Sequence, residues 1–413
     1  MPQPECFHRP EITTRKGRVE RPVRCKQRFR FIQVFHDAGA SLVCDAFTPT
    51  AFRMRQDSLP FCRGFSEVRA SMFLQPFNFD HLWRMSAAGA AMAWLTACTP
   101  MTQPEGPPVV HPAMTADSFL MADGYRLPLD RSLPSGQPRA VVVALHGFND
   151  YRASWREAAA RWSRSGLAVY AYDQRGFGET ERRGIWPGTE TLKSDLRRVI
   201  DLVRQAHPDV PVYLVGESMG GALLMATLGD DNPPEVDGAV LSAPAVWSRK
   251  TMNGFYRFLL DMLATTMPGF SASGEGIGRR ASDNDPMLRA LGRDPLVIKS
   301  TRFDAVAGLV DLMDAAYAAA PKIGARVLVL YGLKDQLVPC EAVGATIDRF
   351  RTEPRIAIYR DGWHLLFRDN GGGIVQHDVG TWFLDPDNPL PSGAENGGRD
   401  DLCAAPTDPF QGE

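Results

Sequence analysis

The sequence has little of several things. Its formal net charge is −2 over 413 residues, so it offers no overall charge for holding a polyanion, and no nucleic-acid partner is expected. It has seven cysteines and no Cys-x-x-Cys. The four in the first part, Cys6, Cys25, Cys44 and Cys62, match no zinc spacing, so no metal site is expected there. It has no apolar run long enough to span a bilayer, which takes roughly 20 residues; the uncharged stretch Met85–Ala97 is too short. Nor is the start of the chain patterned, since residues 1–71 hold neither a period of 2 nor one of 3.6.

The near-zero charge conceals a split, with residues 1–84 summing to +6 and the remainder to −8. Residues 1–84 read as a basic, poorly ordered extension or as a segment upstream of the true start. Residues 85–98 then resemble the signal of bacterial lipoproteins: Arg84 precedes the apolar run, and Leu95-Thr96-Ala97-Cys98 resembles their lipobox. That resemblance implies a start at Met72 or Met85, a lipidated Cys98, membrane association through it and a place in the cell envelope. The alternative is a buried Ala-rich helix in a cytoplasmic protein. Residues 99–114, rich in proline, read as a tether.

From about residue 115 the pattern becomes dense. Ser118–Ser132 alternates around Asp123-Gly124, a hairpin signal. Ala140–Leu145, Leu167–Tyr172, Val210–Val215, Gly238–Leu241, Arg326–Tyr331 and Arg355–Tyr359 are apolar runs suited to strands. Asp150–Ser165 and Thr191–Gln205 read as helices between them. Strands alternating with helices predict an α/β domain over 115–385 with a mostly parallel sheet covered on both faces. The chain between Pro244 and Arg326 exceeds one crossover helix, which predicts a cap over about 245–300, inserted after the sixth strand. Residues 386–413, rich in Pro, Gly and Asp, read as a disordered tail.

The sharpest chemical motif is Gly216-Glu217-Ser218-Met219-Gly220, between a strand and a helical run. A serine there sits on a tight turn with its hydroxyl above the sheet edge, and the glycines leave room for the turn. Its hydroxyl needs a base, itself held by a third group. Only His364 and His377 follow Ser218 in sequence, and His364 lies just past a strand end whereas His377 reads as a surface helix residue. Asp335, just past the strand ending at Tyr331, is preferred as the acid over Asp361. The N–H groups of Phe148 and Met219 are the expected oxyanion donors, and His146 is expected to shape their loop rather than act as a base.

Together LHGFND, YDQRGFGET (Tyr172–Thr180), VGESMGG, YGLKDQLVP and DGWH resemble the monoacylglycerol lipase and lysophospholipase group of α/β-hydrolases, in the right order and over roughly Asp117–Leu384. The resemblance implies the α/β-hydrolase fold and a serine esterase working on a small-molecule acyl ester through an acyl-enzyme, with no metal or organic cofactor. Asp173, Arg175 and Gly176 match the group's Asp-x-Arg-Gly turn and read as fixing a loop. Phe177 departs from the histidine often found in that turn. On the cap, Phe255, Phe258 and Leu259 are candidates for contacting the acyl chain. A peptidase of the prolyl aminopeptidase type is the competing reading, with Glu275, Asp283 and Asp285 as candidate partners of a substrate amine. A non-catalytic binding module on the same fold is a third. Cys340 and Cys403 are a possible disulfide pinning the tail.

Overall fold

A computed structural model describes residues 99–274, 278–396 and 398–404. The basic stretch, the expected signal segment with Cys98, and Glu275 lie outside these residues. Among the described residues, no helix is long and apolar enough to cross a membrane.

Strands β1 (Ala113–Met114), β2 (Ser118–Leu120), β3 (Arg126–Ser132), β4 (Ala140–Leu145), β5 (Leu167–Tyr172), β6 (Val212–Glu217) and β7 (Gly238–Ser242) come first. A two-stranded cap sheet follows, β8 (Ser271–Ser273) with β9 (Ser300–Arg302), and then β10 (Val327–Gly332) and β11 (Arg355–Tyr359). The main sheet runs β1-β2-β3-β5-β4-β6-β7-β10-β11. It is antiparallel from β1 to β5 and parallel from β5 onward.

The helices are α1 (Arg156–Arg164), α2 (Thr189–Ala206), α3 (Met219–Leu228), α4 (Gly254–Thr266), α5 (Asp285–Arg293), α6 (Phe303–Ala319), α7 (Cys340–Ile347) and α8 (Gly372–Leu384). Side chains alternate across the pleat. Val141, Val143 and Leu145 of β4 therefore join one core with Leu196, Leu223 and Leu312 of α2, α3 and α6. Val142 and Ala144 join the other, with Trp162 of α1 and Trp382 of α8. The predicted fold class is thereby observed. The expected helix over Asp150–Ser165 is a 3-10 turn, Arg152–Trp155, followed by α1.

The cap leaves after β7 and comprises α4, the β8–β9 pair and α5. Helix α6 brings the chain back onto α3. Among the described residues, 386–396 and 398–404 correct the expectation of a disordered tail. Leu390 and Leu402 are buried, Ile358 N–H donates to Ala394 O (2.8 Å), Glu395 pairs with Arg355, and Cys403 is disulfide-bonded to Cys340. These contacts cover the free edge of β11 and override a composition that by itself lacks the apolar content to fold. The expected tether is likewise held against the domain. Gln103 is buried, its Nε2 donates to Ile185 O (2.6 Å), and Val109 N–H donates to Ala122 O (2.8 Å).

Candidate active site

Register places the site. Leu145 pairs with Gly216, Glu217 with Ser242, Ser242 with Leu330, and Gly332 with Tyr359, so the C-terminal ends of β4, β6, β7, β10 and β11 form one rim. The segments leaving that rim carry residues 146–150, Ser218, Asp335 and His364. Ligands meet open α/β sheets at this edge.

Ser218 has φ 53° and ψ −111°, a conformation side-chain-bearing residues rarely adopt. Its N–H donates to Ser242 O, and its own carbonyl accepts from Ala245 N–H, both at 2.9 Å, so the end of β7 and the segment just after it hold the strained turn. A β-carbon on Gly216 would run into Gly220–Gly221 backbone, and one on Gly220 would meet Leu145. The glycines are therefore required by close approach. As the first residue of α3, Met219 has an N–H with no intrahelical acceptor.

The histidine and the acid meet directly. His364 Nδ1 lies 2.8 Å from Asp335 Oδ2, and both side chains are almost wholly shielded from solvent. A carboxylate only accepts, so Nδ1 carries the proton and Nε2 is the nitrogen available to Ser218. The other oxygen, Asp335 Oδ1, accepts from Leu337 and Val338 N–H, which locks the carboxylate's direction. Burial pulls the His364 pKa down, but the charge and hydrogen bond of Asp335 outweigh it, and the net displacement is upward. Ser218, His364 and Phe148 line one cavity of about 350 Å³. A larger cavity of about 490 Å³, lined by Tyr359, Asp361 and Ser392 among others, contains neither Ser218 nor His364, so the chemistry points to the smaller one.

The residues set aside for the triad have other work. Asp361 pairs with Lys334 at 2.6 Å, and His377 is exposed on α8. His146 is fully buried, and its Nε2 accepts from Gln174 N–H (3.0 Å), so its Nδ1–H donates to Gly147 O (2.8 Å). Burial pushes its pKa down and keeps the ring neutral. Arg175 is buried between Asp195 (2.8 Å) and Asp123 (2.7 Å), and Asp173 binds Arg152. Phe177 meets the rings of His146 and Phe148 edge-on and buttresses their loop.

The acyl-contact candidates need correction. Phe255 and Phe258 are 68% and 66% exposed, and neither they nor Leu259 line the cavity. Helix α4 packs on α6 and turns its phenylalanine stripe outward. The apolar wall instead comes from Leu291 of α5, Val297, and Leu309 and Met313 of α6.

One feature of the wall carried no local sequence signal. Arg368, its side chain 10% exposed, bonds both Asp150 Oδ2 (2.7 Å) and Glu217 Oε2 (2.9 Å), and all three line the cavity. Burial raises the Glu217 pKa against the pull of Arg368. Glu217 Oε1 and Arg368 Nε are buried without a hydrogen-bond partner. Below them, Asp369 accepts from Trp363 N–H (2.7 Å) and Ser282 Oγ (2.6 Å), tying the histidine loop to the cap.

A strained serine, a histidine oriented by a buried carboxylate and a helix N-terminus, all at one sheet rim, define the class as α/β-hydrolase with a serine nucleophile arrangement. The chain belongs to the family described as Serine aminopeptidase, S33, which matches residues 136–371, and within it to the monoacylglycerol lipase-like group. It is 28% identical over 280 residues to the monoacylglycerol lipase of Mycolicibacterium smegmatis, covering 67% of this chain and 99% of that one. It is 25% identical to the monoglyceride lipase of Homo sapiens, covering 68% and 94%. Among solved structures, the Paleococcus ferrophilus monoacylglycerol lipase superposes with a TM-score of 0.53 at 24% identity, covering 62% of this chain and 98% of that one. A soluble variant of the Saccharomyces cerevisiae monoglyceride lipase, in complex with a substrate analog, gives 0.54 at 22% identity, covering 68% and 99%.

Proposed function

We propose that this protein is a serine esterase that hydrolyses monoacylglycerols, lysophospholipids or short-chain carboxylic esters through an acyl-enzyme. The observation that carries the reading is the His364–Asp335 pair sharing a cavity with Ser218 on its strained turn. Ser218 Oγ attacks the ester carbonyl while His364 Nε2 takes its proton. The N–H groups of Phe148 and Met219 receive the oxyanion. The tetrahedral species collapses, the C–O bond to the alcohol breaks, and His364 returns the proton to the departing alkoxide. Water then attacks the acyl-enzyme with His364 again as base, releasing the acid and restoring Ser218. The apolar wall of Leu291, Val297, Leu309 and Met313 suits an acyl chain.

The test is release of fatty acid from 1-monoacylglycerol and of p-nitrophenol from its esters, run beside amino-acid p-nitroanilides. Esters should be cleaved, and a fluorophosphonate should label Ser218. Ser218→Ala should lower kcat/KM about 10⁴-fold or more. An alanine variant with unimpaired activity would sink the reading.

The peptidase alternative finds less support. Asp283 accepts from Asn370 N–H, Asp285 pairs with Arg280, and neither lines the Ser218 cavity. We also infer an exported lipoprotein anchored at Cys98. The Cys340–Cys403 disulfide supports that reading, because such bonds persist in oxidising compartments. N-terminal mapping of the native protein with lipid analysis of Cys98 tests it.

A further inference from the structure

The loop that presents the Phe148 N–H is gripped from the cap. Between α5 and α6 the chain returns to the body through an arm, residues 294–302, and three hydrogen bonds join that arm to the loop. Ile298 N–H donates to Asn149 O (2.9 Å). Asn149 Nδ2 donates to Thr301 Oγ1 (2.7 Å). Tyr151 Oη donates to Asp294 Oδ2 (2.7 Å). Burial, then the bond to Asp294, pushes the Tyr151 phenol up to about 12, so it stays a donor throughout the working pH range.

Asn149 stands directly after the Phe148 donor at φ 66°. Asparagine is among the few side-chain-bearing residues that enter this left-handed region readily. Its backbone carbonyl and its side-chain amide are both tied to the arm, so the loop's direction here depends on where the arm lies. The arm also contributes Val297 to the cavity wall. The element that would touch the acyl chain is thus the element that holds the oxyanion loop.

We propose that Asn149, latched to Thr301, is a positioning residue for the reaction: seating of the cap arm aims the Phe148 N–H at the developing oxyanion. This rests on the ester-hydrolase reading above. A donor misplaced by about 1 Å can cost up to 10²-fold in rate. The latch acts on the transition state and leaves ground-state binding alone, so its loss appears in kcat and not in KM.

The experiment is a double-mutant cycle with kcat and KM read separately on a p-nitrophenyl ester. Asn149→Gly removes the amide without straining the left-handed backbone, and Thr301→Val removes the hydroxyl from the cap side at constant shape. Each should lower kcat about tenfold with KM within about twofold. The double variant should be no slower than the slower single variant, and Thr301→Ser should restore the rate. If Asn149→Gly does not fold, Tyr151→Phe, which cuts the parallel link, should give the same split. Wild-type kcat in Thr301→Val, or losses that multiply in the double variant, would overturn the latch. Ser218→Ala is run alongside: if it stays active, the esterase reading fails and the latch with it, whereas an inactive Ser218→Ala with a silent Thr301→Val sinks the latch alone.

Discussion

At the scale of single residues, the site uses two buried carboxylates of different kinds. Asp335 orients His364 by direct contact, while Glu217 is held by Arg368 and acts on the ring through its charge. Three charged groups bear on the imidazole: Asp335 and Glu217 are negative and Arg368 is positive, and the last two share its cavity with Asp150, which pairs with Arg368. His364 must be neutral to act as a base, and its folded pKa lies above the ordinary value of about 6.5. The acid limb of kcat/KM should therefore lie above that value, with activity rising as pH rises through it. The stability sign is the reverse. A histidine raised on folding stabilises the protein below its unfolded pKa, and the contribution is lost as pH rises through the folded one. Glu217→Gln removes a charge that favours the imidazolium, so the acid limb should move to lower pH by about half a unit or more, and Glu217→Asp should move it less. Rates measured across roughly pH 5–9 decide this. Superimposable wild-type and Glu217→Gln profiles would reduce Glu217 to an anchor for Arg368. The Ser218 turn and the His364–Asp335 pair were legible because each residue follows a strand end and sits in its own motif. Arg368 was not, since it reaches a carboxylate 151 residues away and no periodicity marks such a pairing.

Among elements, the cap shows where sequence patterning stops being informative. Helix α4 has an apolar stripe, and a stripe at helical spacing reads the same whether it faces a cavity or solvent. Phe255 and Phe258 were therefore reasonable acyl contacts on paper, yet the packing of α4 on α6 turns them outward. Leu309 and Met313, on the helix that packs against α3, line the cavity instead. The strands were far easier to read: β4, β5 and β11 coincide with their apolar runs because burial on both faces leaves no polar interruption. The division of labour between α4 and α6 predicts opposite outcomes. Phe255→Ser and Phe258→Ser should leave kcat/KM for a short soluble ester within about twofold, since exposed substitutions away from the site are mild. Leu309→Trp fills the cavity and should shift preference toward shorter acyl chains, by about tenfold between long and short p-nitrophenyl esters. Equal chain-length profiles for wild type and Leu309→Trp would remove α6 from the acyl wall.

For the molecule as a whole, the hydrolase domain is larger than the regular pattern suggested. Residues 101–114 pack on it, and residues 386–396 and 398–404 cover the β11 edge. Composition hid both segments, because proline marks the first, and proline, glycine and aspartate the second, while a few long-range bonds order them. Cys340–Cys403 is the covalent member of that set. It closes a loop spanning 63 residues and joins the tail to the start of α7, just after the segment that carries Asp335. Loop entropy assigns a cross-link of that span about 4 kcal/mol at most, since native strain and residual unfolded structure subtract from it. The paired variant Cys340→Ser with Cys403→Ser should therefore unfold at lower urea concentration than the oxidised wild type. Reductant should bring the wild type to the same midpoint while leaving the paired variant unmoved. The neighbouring bonds, Arg399 to Asp348 and Glu395 to Arg355, remain in the variant, so its folded fraction should keep the wild-type kcat. A wild-type midpoint indifferent to reductant would mean that these ion pairs and the burial of Leu390 and Leu402 hold the tail without the sulfur bridge.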